Sequence, residues 1–476
     1  METTYLNDLS YEEKYNLATD EGTPAKTLAV LAKDKIYTIR RGVALNESTK
    51  SETLAMLAKD DEWRVRRAVA ANRNTSADIL AMLASDKDCW VRSDVANNRN
   101  TPVNVLAMLA KDDKWRVQYA VARNESTPKE ALTVLAQDID WQVRRKVALN
   151  KSTTADVLAM LAKDEDCDVR TAVAANGNTS ADILVMLAQE KDEYIRAAVA
   201  SNPNVSNERL AIFAKDENWW VRSAVAANEN TSIEVLAMLA QDEDMWVRCD
   251  VAKNKNTPIE ALALLALDRS HSVRCAVASN PHTSANTLNE LATDTEKCVR
   301  VSVAKNINTS PETLALLAND EDVLVHVYVA ENKNTSAETL AELARSNYNS
   351  VRYTVVFNPN TTTDTLVLLA KDEDWEIRGG VACNEKTPVD ILETLATDKE
   401  VCVRYDVARN KKTPLSLLIS LANNEDAFVR EGVATNKSTP LGMLKSLSKD
   451  KDYCVRREAN KNLKEQKANN KISEER

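Results

Sequence analysis

Apolar residues return in two alternating stripes along this chain. In residues 231–256, TSIEVLAMLAQDEDMWVRCDVAKNKN, Val235, Leu236, Leu239 and Ala240 keep the i, i+1, i+4, i+5 spacing of one helix face. That stripe predicts a first helix of about three turns. Val247, Val251 and Ala252 form the second stripe and predict a shorter helix, short enough for a 3₁₀ contribution. Polar residues mark the ends. Thr231 reads as the first N-cap, with Glu234 completing a capping box, and Asp244 reads as the second N-cap. Asn254 closes the second helix, a place where Asn tolerates a left-handed turn. Pro often follows the Thr, as at Pro102, Pro128 and Pro258, which suits a first helical position that has no use for its amide hydrogen.

The two stripes recur every 26 residues. The Arg after Val247 serves as a ruler, running from Arg40 to Arg456 in sixteen steps without an insertion, with Gln118 and His326 at two marks. Asn stands six residues after every mark, from Asn46 to Asn462. A helix–turn–helix unit of this size cannot bury its apolar face alone, so the units must stack. The expected organisation is an N-terminal half-repeat cap at 1–22, about seventeen tandem repeats at 23–462 and a charged tail at 463–476. In the cap, Ser10 and Glu13 make a capping box and Lys14 replaces the Arg.

The pattern L-x-x-L-A-x-D-x-D-x-x-V-R-x-x-V-A-x-N-x-x-T-[PS], as it stands from Leu236 to Pro258, resembles the leucine-rich repeat variant family. It is also similar to HEAT repeats, which share the D…V-R signature. The resemblance implies an all-α, right-handed α-solenoid whose second helices line the concave side. Some relatives carry an N-terminal cysteine cluster for an iron–sulfur group. The first Cys here is Cys89, so that cofactor is not carried over, and no cofactor or metal is expected.

Composition narrows the function. Charged residues make up 28% and hydrophobic ones 44%, and only seven Gly occur, which suits helices joined by short turns. The net charge of −10 disfavours a dedicated duplex-DNA binder but leaves room for a local basic stripe. No apolar run approaches the length of a membrane span, and the polar, acidic start carries no secretory pattern. Eight Cys without a C-x-x-C pair point to free thiols in a reducing cytoplasm; the closest equivalents, Cys249 and Cys275 in adjacent repeats, sit on neighbouring helices about 8–10 Å apart, too far for a disulfide. Nucleophile elbows, phosphate loops and H-E-x-x-H are missing from the sequence, so an enzyme is not expected.

The recurring polar residues read as structural. An Asp six residues before most ruler Arg, as at Asp60, Asp138 and Asp216, would pair with it in a charge-assisted ladder. Function falls to the variable positions of the second helix. Counting Lys14 as a mark, 20 of 22 aromatics lie between ruler −4 and +5, with only Tyr5 and Phe213 outside. Trp63, Trp115, Trp141, Trp219 and Trp375, at −3, are expected to pack between repeats. The candidate partner-binding residues are Arg41, Arg64, Arg67, Trp90, Arg116, Tyr119, Arg145, Tyr194, Trp220, Trp246, Tyr353 and Tyr405. Aromatics and Arg are the side chains that most often anchor interfaces. Arg123 and Lys146 add to a basic face on the first five repeats, while Asp250, Glu331, Glu376, Asp406 and Glu431 make later repeats more acidic. The expected function is a monomeric, non-enzymatic scaffold for a protein or peptide. The alternative is nucleic-acid binding through the basic N-terminal face.

Overall fold

The computed structural model describes residue 6 and residues 9–474, with side chains through 468; Tyr5 lies outside the described residues. The described residues form thirty-five α-helices and no strand. The chain divides into two units, residues 1–235 and 236–476. Each is an α-solenoid of stacked helix pairs at the 26-residue spacing.

The second helix proves the longer of the pair. First helices such as Ser51–Leu57 and Ala77–Leu83 span seven residues, whereas second helices such as Trp63–Ala71 and Cys89–Asn97 span nine and are α-helical throughout. Only the closing bond tightens, as where the Asn98 amide donates to the Val95 carbonyl three residues back (3.0 Å). The two stripes meet in a dry core: Leu54, Leu57, Ala58, Val65, Val69 and Ala70 are all buried. Neighbouring second helices pack on one another along each unit, while neighbouring first helices barely meet. The second helices therefore form the tighter row.

The Asn column holds successive repeats together. From Asn46 to Asn436 each Asn is a C-cap, but in extended backbone (Asn72 φ −69°, ψ 130°), while Asn462 lies inside the final helix; no residue among those described has a positive φ. The left-handed turn expected there does not occur. Instead the Asn72 amide donates to the carbonyls of Ala44 (2.8 Å) and Asn46 (3.1 Å) in the preceding repeat, and its Oδ1 accepts from the Asn74 amide (2.8 Å). Asn46 reaches Ala18 and Asp20 in the same way, so the terminal half-repeat docks by the same device. Three polar groups are satisfied at a place where no water reaches them.

The Thr column also plays another part than N-capping. Thr75 is fully buried, and its hydroxyl donates to the Val69 carbonyl (2.6 Å), a second donor for an acceptor in the last turn of the previous helix. Thr231 does the same to Val225. The N-cap is one residue later: Ser284 accepts from the Thr287 amide (3.2 Å), and Pro102, Pro128 and Pro258 occupy the N-cap itself. At Ser10 the expected capping box with Glu13 is formed. Asp244 does cap the second helix, accepting from the Trp246 amide (2.8 Å).

The Arg ladder runs between repeats rather than within them. Arg66 donates through Nε and Nη2 to Asp86, twenty residues ahead (2.5 and 2.9 Å), and through Nη1 to the backbone carbonyl of Asp60, six residues behind (2.8 Å). The acid six residues back therefore contributes its carbonyl, while its carboxylate serves the preceding Arg. Rungs of this form join Arg40 to Asp60, Arg144 to Asp164, Arg274 to Asp294 and Arg378 to Asp398. Burial pushes the Asp86 carboxyl up, but the Arg66 guanidinium and the Asp88 amide outweigh it and hold the group below its usual range. Among the described residues the rung fails at Gln118, which brings no charge to Asp138, and at His326 and Arg404. At His326 the residue twenty ahead is Ser346, and both ring nitrogens are buried without a partner. At Arg404 that residue is Asn424, and Nε is left unpaired. The final helix, Tyr453–Glu474, runs 22 residues, well past the last Asn of the column.

Candidate interaction face

All twelve candidate residues lie on second helices, pointing away from the Val/Ala stripe. The register between repeats is constant. The residue at ruler +1 meets ruler −2 of the next repeat, and sometimes +2. Arg67 thus sits over the Trp90 ring (5.0 Å to the centroid) while its Nε donates to Asp94 (2.7 Å). Adjacent −2 positions also touch: Arg116 lies 3.9 Å over Trp90, and Tyr194 meets Trp220 edge-on at 5.5 Å.

In repeats one to five these contacts merge into a strip of alternating guanidinium and ring. Arg64 covers Trp63 at 4.7 Å, Arg116 also reaches Trp115, Trp115 meets Tyr119 edge-on, and Lys146 stands 5.4 Å over Tyr119. Two shallow grooves open along the strip. One of about 460 Å³ is lined by Tyr37, Arg41, Trp63, Arg64, Arg67 and Asp94. The other, about 400 Å³, runs over Arg67, Trp90, Trp115, Arg116, Tyr119 and Arg123. Arg145 lies half-buried on the adjoining helix.

The other candidates do not join that strip. Trp246 is 51% exposed on the helix Met245–Lys253. Tyr353 tilts onto Phe357 of its own helix, at 5.1 Å, and Tyr405 stacks flat on Phe428 of the next repeat at 3.9 Å. Tyr405 is thereby half-covered by its own chain. The −3 Trp column departs from the expectation of packing. Trp115, Trp141, Trp219 and Trp375 are 37–45% exposed, as open as Trp90 at 38%, because a helix's first turn overhangs the groove between repeats.

Two features escaped the sequence reading. Ruler +16, in the first helix, carries Met56, Met82, Met108, Val134, Met160, Met186 and Ile212, all exposed. This apolar ridge runs unbroken over seven repeats of the first unit, whereas exposed Glu290 and Glu342 interrupt it in the second. Its signal was the period itself, read at a column the core stripe leaves out. The second is a thiol contact: the sulfurs of Cys275 and Cys298 lie 3.0 Å apart. A spacing of 23 residues, from +1 to the next −2, is its signature, one that a comparison of equivalent positions such as Cys249 and Cys275 passes over. Cys249 instead faces the Ser272 carbonyl at 3.9 Å. Burial and the neighbouring Cys298 push the Cys275 thiol up to about 12. Burial and Asp406 do the same to Cys383, again to about 12.

Among the described residues no group of three or more His, Cys, Asp or Glu could hold a metal ion, and no helix is long and apolar enough to cross a membrane. The family model described as leucine rich repeat variant matches residues 63–88 and 219–244, each one repeat long. Among solved structures the chain is similar to a leucine-rich repeat variant with a novel repetitive structural motif, at 27% identity and a TM-score of 0.36, covering 46% of this chain and 87% of that one. It is also similar to importin beta, at 10% identity and a TM-score of 0.32, covering 95% and 84%. A comparison with curated proteins finds no match.

Proposed function

We propose that the chain, a tandem array of helix pairs of which two repeats match the leucine rich repeat variant model, is a non-enzymatic scaffold. On this reading the second-helix face of repeats one to five grips an acidic protein segment or peptide. The guanidinium–ring strip from Arg64 to Lys146 carries the reading. Rings hold the Arg side chains extended and partly dehydrated, so less entropy is lost when a carboxylate arrives. Arg41, Arg116 and Arg145 supply charge along both grooves, while the Trp and Tyr edges supply apolar area. A tighter row of second helices suits a concave grip. Eight cysteines without a C-x-x-C pair fit a cytoplasmic setting.

Nucleic acid is the competing ligand, since Arg and aromatics also receive bases. Two features favour the acidic peptide: Trp90 already offers its ring to Arg67 and Arg116, and the whole chain carries −10. The test titrates the full chain with a Glu-rich peptide containing aromatic residues, a neutral peptide of the same length and a single-stranded oligonucleotide of matched charge. The acidic peptide should bind best. Arg41→Glu with Arg145→Glu should weaken it at least tenfold, and Trp90→Ala severalfold, with unchanged circular dichroism. Tighter oligonucleotide binding that the double charge reversal destroys would instead make the face a nucleic-acid reader.

A further inference from the structure

We infer that Cys275 and Cys298 form a redox-active dithiol, closed by a hydroperoxide into a disulfide that staples the tenth repeat to the eleventh. The argument begins with register. Cys275 is at ruler +1 of the helix His271–Ser279, and Cys298 is at ruler −2 of the helix Lys297–Lys305. The same two positions bring Arg67 onto Trp90 and Tyr405 onto Phe428, so the contact is built into the stack rather than owed to a chance rotamer. Here both positions hold a thiol, and the sulfurs stand 3.0 Å apart. Elsewhere the register gives other partners: Cys249 faces the Ser272 carbonyl, and Cys402 has Gly379 at the +1 position before it.

The two thiols differ in access, which sets the order of events. Cys298 is exposed and Cys275 is half-buried behind it. Cys298, as thiolate, attacks one oxygen of the hydroperoxide; the O–O bond breaks, and the departing alkoxide takes a proton to become an alcohol. Cys298 is left as a sulfenic acid. The Cys275 sulfur then attacks the Cys298 sulfur, the S–O bond breaks, and hydroxide leaves with the Cys275 proton as water. The two thiols lose two electrons and two protons, and the peroxide is reduced to alcohol and water. A dithiol reductant reverses the bond by exchange. The closed loop links consecutive second helices, so oxidation pins their relative position along the acidic part of the strip.

The experiment treats the full chain with limiting hydrogen peroxide, alkylates the remaining thiols and maps them by peptide mass spectrometry before and after dithiothreitol. The first two thiols lost should be Cys275 and Cys298, joined in one cross-linked peptide and fully recovered on reduction. In Cys275→Ser, Cys298 should stop at a sulfenic acid that dimedone labels. In Cys298→Ser, Cys275 should stay reduced. The variants' circular dichroism should match the parent, since neither thiol lies in the Val/Ala core. Three outcomes overturn the proposal: even loss across exposed Cys167, Cys298, Cys383 and Cys402, disulfides only between molecules, or Cys298 oxidised further while Cys275 stays free.

Discussion

The second-helix strip has one construction and two characters. Over residues 37–146 it sets guanidinium and ammonium groups on rings. Over residues 271–431 the same positions set thiol against thiol, ring against ring, and the Cys383 thiol beside the Asp406 carboxyl. Beneath both, the same columns recur: Asn reaches back to two carbonyls, Thr to one, and Arg, where the rung is complete, forward to the next acid. Stacking is thus secured by buried polar residues, which leaves ruler −2, +1 and +2 free to change chemistry without loss of fold.

The largest expected effect tests whether the frame is shared. Asn150→Ala in the first unit leaves the Ala122 carbonyl and the Ser152 amide unpaired and takes one of its two donors from the Asn124 carbonyl. Asn358→Ala does the same in the second to Ala330, Asn332 and Asn360. Each should cost about 3 kcal/mol in urea unfolding, since several buried groups lose partners together. Clearly unequal losses would break the claim of one frame.

A smaller effect separates complete rungs from incomplete ones. Arg144→Ala strands the Asp164 carboxylate and should cost about 2 kcal/mol, whereas Arg404→Ala, with no acid ahead of it, should cost less than about 1 kcal/mol. Asn424→Asp supplies the missing acid and should raise stability by about 1 kcal/mol, an increase that Arg404→Ala abolishes. Equal costs at Arg144 and Arg404 would show that the rung contributes nothing beyond the Nη1 bonds to backbone, which both residues make.

The smallest effect lies in pH. The carboxyls of Asp60, Asp86 and Asp164 are held below their usual value, so their stabilisation is complete above about pH 4 and is lost as pH falls through their depressed folded values. Asp406 has the opposite sign. Burial raises its carboxyl, so the ionised form destabilises the second unit at neutral pH, and that penalty fades as pH falls through the raised value. Asp406→Asn should therefore stabilise slightly at pH 7 and not at pH 3, whereas Asp86→Asn should destabilise at pH 7. Thermal melts across that range read both, and matching signs would remove the distinction between ladder and strip.

The sequence by itself determined the architecture. Alternating stripes at a 26-residue period allow only stacked helix pairs, because one pair exposes as much apolar area as it hides. It also placed every candidate residue on the second helix, since the Val/Ala stripe fixes which face looks inward. What it could not determine was which repeat each polar column serves. Asp60 lies six residues from Arg66 along the chain, yet its carboxylate belongs to Arg40; the Asn and Thr columns likewise looked local and act elsewhere. A periodic chain offers each side chain equivalent partners one repeat apart, and periodicity cannot choose between them. Stacking distance chooses. The helix offset that sends Arg forward to the next acid also brings ruler +1 onto the following −2, so only the packed array could show Arg67 on Trp90 or Cys275 against Cys298.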